Sequence, residues 1–359
     1  MKKIVFFISA ILIFSACLKE DDPFLPYSGI SPQAINDGWE IVPPESVNID
    51  RELLEGIFQK IQEKGDLFQL RSLLVFRDGK LAAENYFKDP NDISTPRPIW
   101  SCTKQIVGVL TGKAIEKGAI SNIDDSINEY LAEELKNHED KKSITIEQLL
   151  TMRSGIDFDE TKDVAALLRN EPTNTIDFIL NQPMAFSPGE QFSYNSGQTH
   201  LVAASLQNSL NRPLEEWADE VLFSKIGFTK YTWLKYDGYN FGGFGISTTP
   251  RELAKMAQLV LNNGKWNGEQ IIDSTWIDKM ITSQTVTEAD SDYSFGYLWW
   301  VNEKENLYFM AGSGGQYACV VPDKNMLVVA MSEHDTDGDL EIGFEEFMDI
   351  VKDIKITAN

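Results

Sequence analysis

Trp100-Ser101-Cys102-Thr103-Lys104-Gln105-Ile106-Val107-Gly108-Val109-Leu110 is the stretch around which the rest of the chain is read. Pro98 and Trp100 lead into it and an apolar run with small residues follows, which predicts the start of a buried helix. Residues three apart share a helix face, so the Ser101 hydroxyl and the Lys104 amine stand side by side. Serine is a poor nucleophile until a neighbour takes its proton. A lysine does this when burial lowers its pKa toward neutrality. Backbone N–H groups unpaired at the first turn also stabilise a developing negative charge. The plain alternative is a capping serine beside a snorkelling lysine. One S-x-x-K match is expected about once or twice by chance at this length, so the other segments decide.

The 359 residues are ample for a large core in one elaborated domain or two packed lobes. The formal charge of −23 sets the surface against phosphate backbones, which argues against nucleic acid as a partner and favours solubility. Cys102 and Cys319 lie in no C-x-x-C or metal-ligand spacing, so neither a disulfide framework nor a metal site is expected.

Residues 1–16 read as a signal peptide. Lys2-Lys3 precedes an apolar run from Ile4 to Phe14, too short for a bilayer span. Phe14-Ser15-Ala16-Cys17 resembles the lipobox of bacterial lipoproteins, which implies Cys17 as a lipid anchor and a cell-envelope location, periplasmic or surface. Phe14 departs from the usual aliphatic residue, and a plain secretory signal is the alternative. Residues 17–48, with Glu20-Asp21-Asp22 and scattered Pro, Ser and Gly, are expected to form a flexible tether to a domain spanning 49–357.

Leu73 to Phe87 predicts a hairpin turning at Asp78-Gly79. From about 120 to 240 the pattern is mainly helical, with a capping box at Thr145-Ile146-Glu147-Gln148. Phe241-Gly242-Gly243-Phe244-Gly245 suggests a close backbone approach or a plain turn, and it lacks the spacing of a dinucleotide fingerprint. Thr249-Pro250 starts another helix, alternating strands occupy 297–331, and a last helix runs from about Phe344. The order predicts an α/β (α+β) fold, a sheet built from both chain ends with a helical lobe inserted between them.

Three stretches together resemble the serine β-lactamase-related hydrolases: Ser101-Cys102-Thr103-Lys104, Tyr194-Asn195-Ser196 where the family has Y-x-N, and Met310-Ala311-Gly312 where it has K-T-G or H-x-G. Ile144 to Gly155 and Pro188-Gly189 support the match, which covers about 50–355. The resemblance implies a β-lactamase/transpeptidase-like fold, an antiparallel sheet flanked by helices. It also implies an acyl-enzyme on Ser101 with Lys104 as base, Tyr194 as proton shuttle and no cofactor. Backbone N–H groups of Ser101 and Ser313 would form the oxyanion hole, with Ser196 and Gly312 positioning a small-molecule or peptide substrate. Met310 stands where β-lactam-recognising members carry a carboxylate-binding cation. That departure shifts the reading from D-Ala-D-Ala peptidase or β-lactamase toward ester or amide hydrolysis.

Tyr297, Trp299, Trp300 and Phe244 are candidates for an acyl pocket, with a place in the core as the plain reading. No G-x-S-x-G elbow exists, and His138, His200 and His334 fall in no motif; His138 is expected to face solvent and His200 to be structural. Asp335-Thr336-Asp337-Gly338-Asp339 with Glu346 misses the glycine position of a calcium loop and reads as an acidic loop. A binding lipoprotein on a decayed hydrolase fold is the non-enzymatic alternative.

Overall fold

The structure, a computed structural model, describes residues 24–64, 69–287, 291–333 and 343–359. Both ends of the chain build one nine-stranded sheet: β1 (Glu40–Ile41), β2 (Leu70–Arg77), β3 (Lys80–Tyr86), β4 (Thr285–Val286), β5 (Ser294–Phe295), β6 (Trp300–Asn302), β7 (Leu307–Gly312), β8 (Gln316–Val321) and β9 (Met326–Ser332). The spatial order is β1-β3-β2-β9-β8-β7-β6-β5-β4, with β1 parallel to β3 and every other pair antiparallel. Asp78 and Gly79 take positive φ in the β2–β3 hairpin, as a two-residue turn between twisted strands requires.

Helices cover both faces of the sheet. Successive strand residues point to opposite sides. Leu73, Val75, Phe309 and Val328 therefore join the core under α1 (Arg51–Lys64) and the C-terminal helix Phe344–Thr357. Leu74, Phe76, Met310 and Val329 face the other layer. That layer centres on α2 (Cys102–Glu116), buried continuously from Cys102 to Ala114. Small residues let it sit so deep. A Cβ at Gly112 would lie 2.1 Å from the Trp276 ring, and one at Gly108 would lie 3.0 Å from the Tyr297 carbonyl. The lobe between about 120 and 240 is mainly helical as expected. It contains α3 (Ile146–Leu150), where Thr145 and Gln148 form a reciprocal capping box, and α4 (Ser196–Leu210), which packs on α2. Short strands close it: Tyr231–Trp233 pairs with Ile246–Thr248, which pairs in turn with Arg97–Pro98 just ahead of Ser101.

Two expectations are corrected here. From Phe24 onward the stretch read as a tether belongs to the fold. Leu25 donates to the Phe87 carbonyl at 2.6 Å, Ile30 is buried, and Trp39 packs on Phe76 at 4.4 Å. Arg251, on α5 (Pro250–Leu261), clasps this stretch by binding Asp37, the Gln33 carbonyl and Glu84 of β3 at once. A buried guanidinium needs several acceptors, and the N-terminal stretch supplies two of them. His138, expected to face solvent, is largely buried, its Nε2 3.3 Å from an Asp177 carboxylate oxygen. Residues 1–16, Cys17, His334 and Asp335 to Asp339 lie outside the described residues.

Candidate active site

Ser101 stands at the N-terminus of α2, and its side chain makes no capping hydrogen bond. The hydroxyl is thereby free for other work. Trp100 before it adopts φ +46°, a region that costs side-chain-bearing residues energy, and this bend turns the chain from the Arg97–Pro98 strand into the helix. One turn on, Lys104 is fully buried. It does not snorkel.

Its Nζ contacts three oxygens: Ser101 Oγ at 2.8 Å, Ser196 Oγ at 2.9 Å and the Gly243 carbonyl at 2.8 Å. Burial lowers its pKa to about 8, outweighing the Glu160 carboxylate and the Cys102 thiol, which push the other way. Tyr194 completes the group. Its ring centroid lies 4.7 Å from Nζ, and Ser101 beside its hydroxyl works to lower the phenol pKa. Burial first, then the charge of Glu160, raises the phenol pKa above its ordinary value, so Tyr194 keeps its proton at neutral pH. Of the two groups beside Ser101, the amine is the one whose proton is loosely held.

Close backbone approaches hold these parts together. Asn195 caps α4 by accepting from the Gln198 N–H at 2.8 Å, which fixes Ser196 at its first turn. The glycine run proves to be packing against that turn. A Cβ at Gly243 would lie 2.5 Å from the Ser196 carbonyl, and this contact aims the Gly243 carbonyl at Lys104. Gly312 is needed for the same reason, since a Cβ there would lie 2.3 Å from the Ile99 carbonyl. Ser313, next to it, lines the same cavity as Ser101.

That cavity measures about 500 Å³ and is walled by Ser101, Glu160 and Tyr194 with Trp300, Phe309 and Tyr317. Trp300 stacks on Tyr194 at 5.7 Å between centroids. The other three aromatic candidates lie elsewhere. Trp299 is fully buried in the core, Tyr297 packs on Trp276, and Phe244 packs beside Trp100. Met310 is buried on the face of β7 opposite Phe309, and no Lys or Arg is among the described residues lining the cavity.

Rival nucleophiles and bases are explained. Cys102 is buried against the Gln316 carbonyl, and burial pushes its thiol pKa up. His200 is fully buried, between Thr175 Oγ1 at 2.9 Å and the Gly242 N–H at 3.4 Å, as its structural reading expected. Sequence reasoning missed Glu160, which accepts from both the N–H and the hydroxyl of Ser196. It sits in Asp157-Phe158-Asp159-Glu160, a run that looks like any acidic turn. It missed Phe309 too, although the alternation along β7 places Phe309 and Ala311 on one side and Met310 on the other.

A buried lysine against a helix-terminal serine, with a tyrosine from an inserted lobe, is the constellation of a serine hydrolase, and the chain belongs to the beta-lactamase family, whose profile matches residues 69–345. It is similar to the 6-aminohexanoate-dimer hydrolase of Paenarthrobacter ureafaciens, 25% identical over 289 residues that span 73% of this chain and 72% of that one. Among solved structures, one described as a candidate 6-aminohexanoate-dimer hydrolase from Bacillus anthracis superposes with a TM-score of 0.72 at 23% identity, covering 82% of this chain and 80% of that one. EstCE1, a hydrolase with promiscuous acyltransferase activity, gives 0.68 at 16% identity, covering 84% and 97%.

Proposed function

We propose that the protein hydrolyses an ester or amide of a small molecule or peptide through an acyl-enzyme on Ser101. The observation that carries this is the fully buried Lys104 amine 2.8 Å from the Ser101 hydroxyl, with its pKa lowered to about 8. Neutral Lys104 takes the Ser101 proton as Oγ attacks the acyl carbon. Tyr194, still protonated beside Ser101, passes a proton to the leaving group. The Ser101 and Ser313 N–H groups receive the oxyanion, an arrangement whose removal costs a few kcal/mol in other enzymes. Water then releases the acyl group. The aromatic wall fits an apolar acyl chain, and the 6-aminohexanoate-dimer hydrolase and the hydrolase with acyltransferase activity among the similar proteins agree with acyl transfer to water. That no Lys or Arg is among the described residues of the cavity wall speaks for substrates lacking a carboxylate beside the scissile bond.

A fluorophosphonate probe tests the assignment. Stoichiometric labelling on the Ser101 peptide is expected, with none in Ser101→Ala; turnover of p-nitrophenyl butyrate by that variant would refute it. A chromogenic cephalosporin is expected to be turned over weakly or not at all, and efficient hydrolysis would restore the β-lactamase reading. For location, we propose export and lipid anchoring through Cys17. Cys17→Ser is expected to move the protein from the membrane to the soluble fraction of a Gram-negative expression host.

A further inference from the structure

Lys104 reaches three oxygens, but a neutral amine has two N–H groups and one lone pair. Which neighbour receives the lone pair decides whether the amine is a base toward Ser101. The Gly243 carbonyl only accepts, so it takes one N–H. Ser196 is ambiguous by itself, since a hydroxyl can give or take. Glu160 removes the ambiguity. Its carboxylate accepts the Ser196 backbone N–H on Oε1 and the Ser196 hydroxyl proton on Oε2, the latter at 2.9 Å. With its single proton committed there, Ser196 Oγ faces Lys104 as an acceptor only, at 2.9 Å. The second N–H of the neutral amine goes to it. What remains is the lone pair, and the remaining neighbour is Ser101 Oγ at 2.8 Å.

We propose that Glu160 is a positioning residue that sets the direction of this hydrogen-bond chain, so that neutral Lys104 turns its lone pair to the Ser101 proton. The inference rests on the proposed role of Lys104 as base. In the step itself the Ser101 O–H bond breaks and its proton joins the Lys104 lone pair. The Oγ electron pair forms the bond to the acyl carbon, and the carbonyl pair moves onto oxygen. Glu160 gains and loses no proton. The cluster also carries an electrostatic signature. The charged or titratable groups facing Lys104 are Glu160, the Cys102 thiol and the Tyr194 phenol, and Glu160 is the largest influence opposing the effect of burial.

Glu160→Gln tests this, because the amide can donate to Ser196 Oγ and release its hydroxyl to turn toward Lys104. The measurement is kcat/KM for p-nitrophenyl butyrate from pH 5 to 10, in parallel with Ser101→Ala. In Glu160→Gln the high-pH plateau is expected to fall on the order of 10- to 100-fold while the acid limb moves to lower pH. Glu160→Asp, still acceptor-only, is expected to stay within a few-fold of the parent plateau. Ser196→Ala removes the ambiguous hydroxyl, so adding Glu160→Gln to it is expected to cost no further plateau rate. A parental plateau in Glu160→Gln, an unmoved acid limb, or losses that add with Ser196→Ala would each overturn the proposal. Should Glu160→Gln fail to fold, the Glu160→Asp plateau decides: retained supports the proposal, and lost overturns it. Activity in Ser101→Ala would instead strike the underlying reading.

Discussion

Two lysines of this protein invite comparison. Lys104 on α2 and Lys255 on α5 are both buried, and each is bonded to the side chain three residues before it. For Lys255 that partner is Glu252, at 2.9 Å, with the Gly227 carbonyl as a second acceptor. For Lys104 it is Ser101, and the Glu160 carboxylate stands on the far side of Ser196. The same helical spacing thus makes an ion pair in one place and, in the proposed mechanism, a reactive pair in the other. A carboxylate in contact fixes the charge of a buried amine, whereas a hydroxyl leaves the proton exchangeable and becomes a nucleophile when it goes.

The largest expected effect separates the two lysines by what is lost. Lys104→Met is expected to lower kcat/KM for p-nitrophenyl butyrate by about 10³-fold or more. Its unfolding free energy in urea is expected to stay within about 2 kcal/mol of the parent. Lys255→Met reverses the pattern. It strands Glu252 in the core, where burial already raises the carboxyl pKa and the Thr229 N–H still donates to it. A cost of about 3–5 kcal/mol in stability is expected, with kcat/KM per folded molecule within a few-fold. Equal destabilisation by both variants would break the comparison.

A smaller effect is expected along the pH axis. In the proposed mechanism Lys104 acts as a base only when neutral, so kcat/KM is expected to rise as pH increases through about 8 and to level off above it. Below that point each pH unit lowers the rate about tenfold. A limb centred near 6.5 would point to a histidine, and a flat profile would remove the titrating amine from the mechanism.

Much of this was legible because the signals were local. Ser101 and Lys104 are one helical turn apart, Asp78-Gly79 carries its own turn geometry, and Thr145 and Thr249 name their helix starts within four residues. The parts that were not legible depend on distant partners. Residues 24–48 have the composition of a linker, and what orders them is pairing with β3 and a clasp from Arg251, more than two hundred residues along. Glu160 becomes informative only when α4 brings Ser196 onto it. Met310 was read against a family motif, and only the strand register shows that its side chain lies on the far face of β7 from the cavity wall.

His200 sharpens the contrast from a third side. Like Lys104 it is a fully buried base whose pKa burial lowers, in this case to about 3. The difference lies in where the lone pair points. Gly242 donates its N–H to Nδ1, so the ring nitrogen able to accept a proton already faces a donor, and Nε2–H is turned to Thr175 Oγ1, itself bonded to Asp237. In the proposed arrangement the lone pair of Lys104 faces Ser101 at the cavity wall, whereas that of His200 is spent inside the fold. Protonation of His200 therefore opposes folding. The unfolded chain binds this proton near pH 6.5 and the folded one near 3, so between these values the unfolded state carries more protons and stability falls as pH falls. At pH 5.5 the loss from this residue is about 1 kcal/mol. His200→Gln removes it, so the variant's unfolding free energy is expected to drop less than the parent's between pH 7.5 and 5.5, with kcat/KM at pH 8 unchanged within a few-fold. Parallel pH dependences of stability would mean that His200 is protonated in the folded protein, and the distinction between a spent and an available lone pair would no longer account for the two sites.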